Sequence, residues 1–179
     1  MADEKKEPWL NYLALATVIL AVCATLSTFK GGSYSTRSVL SQSQAANQWA
    51  YYQSKSIKGY LYEIQKEALE TDLQQTGASL SPEVLQEMKS KLDSYTKRIA
   101  RYDAEKAEIM KDAKKFEEVR DDAQRHSQIF GIAVIFLQIA ILLSSIAALL
   151  KKKIIWFLGL AVGTAGVVYF ANGFFLFFD

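Results

Sequence analysis

The chain has one cysteine and one histidine among 179 residues, and both shortages exclude kinds of site. Cys23 alone forms neither an internal disulfide nor a zinc site, and we interpret it as a small residue within an apolar run. His126 has no second histidine to join it, so a histidine-based metal cluster is excluded and a polar place at a membrane edge is expected. No cofactor is predicted.

Charge is missing from three long runs, residues 9–29, 129–150 and 154–178. Each run has about the number of residues, roughly 20, that a helix needs to cross the hydrocarbon core of a bilayer. Because backbone groups in lipid must satisfy one another, each run predicts a spanning helix, with the lipid bilayer as partner. Residues 1–8 form a short charged N-terminus. A cleaved signal peptide is the alternative for the first run, but that run exceeds the usual apolar length of about 7–15 residues, which favours a retained anchor.

The segment between the first two runs is rich in charge, but the two signs balance. Residues 30–128 hold 16 of the 21 Lys and Arg and 15 of the 19 Asp and Glu. Such a segment has no strong positive field to attract phosphates, so no nucleic-acid partner is predicted. Interspersed charges of both signs are typical of a solvated helix surface.

Helix B is predicted over residues 82–128 and should continue into the second span, because no Pro or Gly occurs between Glu83 and Phe130. Its apolar residues recur every seven positions in two series offset by three, which indicates a coiled-coil seam. Lys106 and Arg120 are charged exceptions in this series. The predicted assembly seam comprises Leu85, Met88, Leu92, Tyr95, Ile99, Tyr102, Ile109 and Phe116.

Helix A is predicted over residues 37–75, followed by a turn at 76–81. Ser81 is the expected N-cap of helix B, and Pro82 its first helical residue. A glycine-containing hinge at residues 30–36 should separate helix A from the first span. The predicted seam of helix A comprises Leu40, Ser43, Asn47, Ala50, Ser54, Ile57, Leu61, Ile64 and Ala68.

A hairpin of two helices has little core, so its seams call for a further partner. Self-association through the hairpin is the economical hypothesis, with another membrane protein as a possible partner. Alternatively, helix A packs along helix B and a single copy suffices.

Five aromatic residues crowd helix A. Trp and Tyr dominate binding hot spots, which favours an interaction patch. Packing against the aromatic residues of helix B is the simpler interpretation, and we favour it. The possible interaction patch comprises Trp49, Tyr51, Tyr52, Tyr60 and Tyr62.

The spans carry their own packing signals. Gly159 and Gly163 form a Gly-x-x-x-Gly pair that lets spanning helices approach closely. Gln138 and Asn172 are polar groups at membrane depth and are expected to bond to another helix. No charge lies within the spans, which weakens an ion or proton carrier.

The basic loop at residues 151–153 sets the predicted orientation. Three lysines in a short connection favour the cytoplasm, which places the N-terminus beside them and the hairpin outside. Basic residues also flank the spans on the other side, but long segments count less in this rule. Those opposing residues are Lys30, Arg37, Lys111, Lys114, Lys115, Arg120 and Arg125.

Residues 47–58 read Asn-Gln-Trp-Ala-Tyr-Tyr-Gln-Ser-Lys-Ser-Ile-Lys. This stretch resembles the Trp-x-x-Tyr/Phe-Gln-x-Lys-x-Ile-Lys segment of a bacterial family catalogued as domain of unknown function 4337. The layout is also similar, with one span, a charged helical hairpin, a short basic loop and two terminal spans. The resemblance implies a bacterial membrane protein and supplies no activity or site residues to carry over. We expect the protein in the bacterial inner membrane.

Together these patterns predict an all-α integral membrane protein with three transmembrane helices and a long antiparallel, coiled-coil-like hairpin between the first two. The expected function is a non-catalytic membrane scaffold or interaction protein that forms homo-oligomers. The alternative is a small channel or an accessory subunit of a transporter. An enzyme is not expected, because no phosphate-binding loop, nucleophile elbow or metal-ligand spacing appears.

Overall fold

A computed structural model describes residues 8–178 of the chain. They form three α-helices, α1 (Pro8–Thr76), α2 (Pro82–Leu150) and α3 (Lys153–Phe175). A 3₁₀ turn at Gly77–Ser79 joins α1 to α2, and the described residues contain no strand. The predicted all-α fold class is confirmed.

The three helices divide between two compact units. We call residues 8–40 and 119–178 the three-helix unit, and Ser41–Glu118 the hairpin unit. Both α1 and α2 contribute to each unit, whereas α3 belongs to the three-helix unit alone.

The turn of the hairpin unit follows the local chemistry of its sequence. The Ser81 hydroxyl accepts a hydrogen bond from the Val84 backbone N–H at 3.4 Å, and the Leu85 N–H donates to the Ser81 carbonyl at 3.0 Å. Pro82 begins α2, where its missing N–H costs no helical hydrogen bond. The helix therefore starts at the residue that the sequence pattern indicates.

The predicted break at residues 30–36 is wrong, because α1 is helical throughout this stretch. Gly31 lies against α2 instead. A Cβ added there would come within 3.1 Å of the Phe130 Cβ, and the Ser127 hydroxyl donates to the Gly31 carbonyl at 3.0 Å. Close helix packing thus explains the glycine, and a single Gly costs a helix only about 1 kcal/mol relative to Ala.

The hairpin unit packs α1 antiparallel to α2, but not through the face predicted for helix A. Each of the nine residues in that predicted seam is exposed. The inward face of α1 also follows a heptad spacing, but with polar and small residues among the apolar ones. It comprises Ser41, Ala45, Gln48, Tyr52, Lys55, Gly59, Tyr62, Lys66, Leu69 and Leu73, all partly or fully buried.

The three-helix unit is built around large side chains of α2 that meet small residues of the other helices. Phe130 and Leu137 are fully buried. Leu20 and Ala24 of α1 belong to the same core cluster as Leu137. A second cluster joins Trp9 and Leu13 of α1 to Ala147 of α2, with Trp156 of α3 packed against it.

The ends of α3 differ slightly from the predicted third span. A tight connection joins α2 to Lys153, with Lys151 in the left-handed conformation at φ 52°. The helix ends at Phe175 rather than continuing to residue 178, and Leu176 adopts a left-handed conformation at φ 51°. All three helices contain stretches that are long and apolar enough to cross a membrane by length and composition.

Candidate interaction surfaces

An ion pair joins the two helices in the middle of the hairpin unit. Lys55 Nζ lies 2.6 Å from Glu105 Oε2, and Arg101 Nε lies 2.8 Å from Glu105 Oε1. The Lys55 ammonium is also 5.2 Å from the ring centre of Tyr51 and 5.5 Å from that of Tyr102. The hydrogen bonds from Lys55 and Arg101 lower the pKa of the Glu105 carboxyl, and the bond to Glu105 raises the pKa of Lys55. A lysine on the inward face is therefore tolerated because its charge is paired.

Lys106, one of the charged exceptions in helix B, is accommodated in a similar way. Its ammonium lies 2.7 Å from Asp103 Oδ1 and 5.9 Å from the ring centre of Tyr60. The hydrogen bond to Asp103 raises the pKa of Lys106. Arg120, the other exception, lies in the three-helix unit, where its Nε bonds to Asp121 Oδ1 at 2.8 Å.

The five residues of the predicted interaction patch do not form one surface. The Trp49 indole N–H donates to Glu117 Oε1 of α2 at 2.9 Å, and the ring of Tyr52 meets Trp49 edge-on. Tyr62 packs against Tyr95 and Tyr102 of α2, with ring centres 5.6 and 6.0 Å apart. Trp49, Tyr52 and Tyr62 thus serve the hairpin itself.

The other two members of the patch face outward. Tyr51 is 49% exposed and Tyr60 is 58% exposed. They lie on different sides of α1, because nine residues at 100° each separate them by half a turn of the helix. Tyr51 and Tyr60 therefore do not form one aromatic surface.

The predicted assembly seam of α2 is shielded inside a single chain. All eight of its residues are partly or fully buried, and Tyr95 and Tyr102 contact Tyr62 of α1. The periodicity of α2 therefore indicates the correct face, but the partner of that face is α1 of the same chain.

The outward face of α1 in the hairpin unit carries an uncharged stripe. We call these residues the outer stripe. It comprises Ser43, Asn47, Ala50, Ser54, Ile57, Leu61, Ile64 and Ala68, all exposed. Ile57, Leu61 and Ile64 are 61%, 54% and 63% exposed, respectively. The charged residues of α1 in this unit all lie off the stripe.

The outward face of α2 has the opposite character. Most of its exposed residues between Glu83 and Glu118 are charged, and several pair along the helix. Lys91 with Glu87 and Lys97 with Asp93 are such pairs at i, i+4 spacing. This face has the composition expected of a helix surface in water.

Close packing of α3 rests on its glycines, including the predicted pair. A Cβ added at Gly159 would lie 3.2 Å from the Leu143 Cβ, and one at Gly163 would lie 3.1 Å from the Leu20 methyls. Gly166 and Gly173 are tighter still, because added Cβ atoms would come within 2.8 Å of Leu137 and 2.7 Å of Phe130. These distances agree with the close approach that the Gly-x-x-x-Gly spacing predicts.

Of the two polar residues predicted to bond to another helix, Asn172 bonds within its own segment, whereas the bond of Gln138 stays a prediction. Gln138 is exposed on α2. Asn172 is buried, but its side-chain amide bonds to its own chain: Nδ2 donates to the Phe178 carbonyl at 2.8 Å, and the Phe178 N–H donates to Oδ1 at 3.1 Å. Because the backbone folds back after the left-handed Leu176, Asn172 satisfies polar groups of residue 178 rather than those of another helix.

His126 is largely enclosed rather than exposed at an edge. Its ring stacks on Tyr34 of α1 with centres 4.4 Å apart, and Nδ1 lies 2.8 Å from the Gly173 carbonyl of α3. One side chain therefore links all three helices of its unit. Cys23 is partly buried in the same unit, packed against its core cluster.

Within residues 8–178, no three His, Cys, Asp or Glu side chains converge as metal ligands. An open groove of about 360 Å³ between α1 and α3 has an aliphatic and small-residue lining, including Ile19, Leu160 and Gly163. Apart from Thr164, this lining is apolar and offers contact area.

The fold and its surfaces define an all-α protein with three helices capable of crossing a membrane and a charged helical hairpin. The chain belongs to the family described as Domain of unknown function (DUF4337), whose profile matches residues 9–176. No curated protein and no solved structure matches the chain.

Sequence reasoning missed the inward face of α1 and the polar contacts that it makes. The available signal was the heptad spacing of Ser41, Gln48, Lys55, Tyr62 and Leu69, which mirrors the period of α2. Hydrophobicity alone does not identify this inward face, because Lys55 and Gln48 are polar residues that ordinarily lie on a protein surface.

Proposed function

We propose that the protein is a non-catalytic scaffold of the bacterial inner membrane that assembles with copies of itself. The apolar stretch of each of its three helices crosses the bilayer, and the hairpin unit lies outside the cytoplasm. The outer stripe carries this proposal, because a water-exposed helix ordinarily presents charge opposite its packed face. Here the side of α1 that faces away from α2 is uncharged, and it exposes the aliphatic side chains of Ile57, Leu61 and Ile64, which favours a covered surface.

The interior of the three-helix unit favours a scaffold over a channel formed by one copy. Phe130, Leu137, Ala133 and Ala140 are all fully buried and occupy its centre. An ion pathway ordinarily includes a charged residue, and the described spans place none in that core, where the buried polar side chains include Ser27 and Ser144.

The mass of the full-length protein in nanodiscs, corrected for bound lipid, tests the assembly. A discrete multimer is the expected result. A monomer at all protein concentrations, with the helical content of the folded chain, would contradict self-assembly.

A separate test of the orientation replaces the single native cysteine and introduces a new one at a chosen position. In a Cys23→Ser background, Ser90→Cys places a thiol on the exposed face of α2, and Lys152→Cys places one in the basic loop. A membrane-impermeant maleimide should label the first variant in intact spheroplasts and the second only after lysis. The reverse pattern would place the hairpin in the cytoplasm.

A further inference from the structure

The outer stripe has the spacing of a coiled-coil seam that lacks its partner. Its residues alternate in steps of three and four, with Asn47, Ser54, Leu61 and Ala68 at a positions and Ser43, Ala50, Ile57 and Ile64 at d positions. We propose that the outer stripes of neighbouring copies pack against one another in parallel and in register, forming a bundle of α1 helices. This inference rests on the proposed function, since it specifies the surface and geometry of the assembly.

The partner of the stripe is another stripe because the hairpin unit offers no other matching helical face. The exposed face of α2 between Glu83 and Glu118 is mostly charged, and burying it against Ile57 or Leu61 would strip its charges of water. An uncharged surface matches itself, and symmetric assemblies reuse the same patch on each copy. Pairing stripe with stripe leaves the charged faces of α2 on the outside.

The direction of packing follows from anchoring. If the first part of α1 crosses the membrane, the helices of neighbouring copies leave that membrane in the same direction. Side-by-side contact of the same stretch is then parallel. The stripe from Ser43 to Ala68 is about 38 Å long at roughly 1.5 Å per residue, which is long enough for several layers of contact.

Asn47 supplies the register. It lies at an a position of the stripe and is exposed in the single chain. An Asn at such a position favours the alignment in which its amides bond to each other across the seam. A slip of one heptad would instead place the two Asn47 side chains opposite Leu40 and Ser54. Ala50 and Ser54 next to it are small, which lets the backbones approach closely.

The residues beside the stripe permit the parallel alignment along most of its length. In a parallel pair, Gln53 of one copy faces Lys58 of the next, and Tyr60 faces Gln65, so these rows bring no like charges together. Farther along, Glu67 faces Asp72, and that repulsion ends the favourable contact near Ala68. Leucine at a with isoleucine at d, as in Leu61 with Ile57 and Ile64, shifts parallel coiled coils toward more than two helices.

Single-cysteine cross-linking of the full chain in native membranes tests the surface. In a Cys23→Ser background, Ala50→Cys lies on the stripe and Ala104→Cys is the control, an exposed alanine on α2. A short bis-maleimide should give a roughly tenfold higher yield of linked chains for Ala50→Cys, because packing raises the effective thiol concentration to the millimolar range. Equal yields for the two variants would overturn the inference.

Two further variants test direction. Ser43→Cys and Ala68→Cys lie at opposite ends of the stripe, and both leave Asn47 in place. Parallel packing predicts that each links to itself, and that a mixture of the two gives little cross-product. Linking only between the two different variants would indicate antiparallel packing and would overturn the inference.

A charge-insertion variant separates this inference from the proposed function. Ile57→Lys with Leu61→Lys should convert the multimer in nanodiscs to monomers while helical content is retained, since both positions are exposed in the single chain. If the wild type is multimeric and this variant stays multimeric, the stripe is not the contact, although self-assembly stands. If the wild type is monomeric, both proposals fail. If Ala50→Cys links only to a different protein, the assigned partner is wrong.

Discussion

Lys55 Nζ lies 2.6 Å from Glu105 Oε2, and this ion pair joins α1 to α2 in the middle of the hairpin unit. Both side chains are mostly shielded, at 16% and 27% exposure. The bond from Lys55 lowers the pKa of Glu105, and the bond to Glu105 raises the pKa of Lys55. Each shift makes the stability of the hairpin depend on pH in a defined direction.

The contribution of Glu105 to the free energy of unfolding is present above the ordinary carboxyl pKa of about 4.3. It is lost as pH falls through the lowered pKa of Glu105. The contribution of Lys55 to the free energy of unfolding is present below the ordinary lysine pKa of about 10.4. It is lost as pH rises through the raised pKa of Lys55. Glu105→Gln should therefore lower the unfolding temperature at pH 7, and the gap to the wild type should narrow below about pH 4. Thermal unfolding followed by circular dichroism measures this gap.

Glu87→Gln provides the control for the pH series, because the Glu87–Lys91 pair lies on one helix and both side chains are more than half exposed. Exposed pairs of this kind contribute little. A gap between Glu105→Gln and wild type that stays constant from pH 7 to pH 3 would contradict the assigned role of the ion pair.

A second contact across the hairpin joins the Trp49 indole N–H to Glu117 Oε1 at 2.9 Å. Trp49→Phe keeps an aromatic ring but removes the donor, and Glu117→Ala removes the acceptor. A double-mutant cycle on the free energy of unfolding should give a coupling of about 1 kcal/mol, the usual size for such a bond at a partly exposed site.

The neighbouring residue Glu118 is exposed and serves as the matched control for this cycle. Trp49→Phe combined with Glu118→Ala should show additive effects, because residues without a shared contact do not couple. Equal coupling for both glutamates would indicate a general charge effect and not the observed hydrogen bond.

Packing of α3 makes a prediction about two glycines. A Cβ added at Gly166 would lie 2.8 Å from the Leu137 Cγ and 3.0 Å from its backbone N, so Gly166→Ala should destabilise the three-helix unit by about 1–3 kcal/mol. Gly131 has nothing within 4 Å of such a Cβ, so Gly131→Ala should be neutral or stabilising. The melting temperatures of Gly166→Ala and Gly131→Ala in detergent should be compared with that of the wild type. A similar fall in melting temperature in both variants would argue against the α2–α3 contact.

The two helices of the hairpin show what hydrophobic periodicity can predict. On α2, residues such as Leu92, Ile99 and Ile109 mark the inward face, because aliphatic and aromatic side chains lie there. On α1 the same criterion selects the outward face. On the inward face, Lys55 is largely shielded because Glu105 pairs with its charge, and Glu105 is distant in sequence. Such pairing becomes visible only when the helices are aligned.

Among the glycines, the local sequence predicts the packing role of some and not of others. The Gly159 and Gly163 pair carries a local spacing signal, and the structure places both against neighbouring helices. Gly31 has no such signal, and beside Gly32 it resembles a break. Its reason is the Phe130 side chain of α2, nearly 100 residues away. Local sequence therefore predicts helices better than it predicts which glycines serve packing.

The last prediction contrasts two amide side chains in the apolar runs, those of Asn172 and Gln138. Asn172 is buried and exchanges two hydrogen bonds with the backbone of Phe178, so Asn172→Leu leaves those backbone groups without their partner. A loss of about 1–3 kcal/mol in unfolding free energy is expected. Gln138 is exposed on α2, so, if α2 crosses the bilayer as proposed, Gln138→Leu removes an amide that faces hydrocarbon. That change should leave stability equal or higher.

Melting temperatures in detergent and masses in nanodiscs should be measured for both variants. The expected result is a less stable protein of unchanged copy number for Asn172→Leu, and an unchanged copy number for Gln138→Leu. If Gln138→Leu lowers the copy number, its amide contacts a neighbouring copy within the membrane, and assembly then depends on the spans as well as on the outer stripe. If Asn172→Leu melts like the wild type, the fold-back of residues 176–178 contributes nothing to the stability of α3.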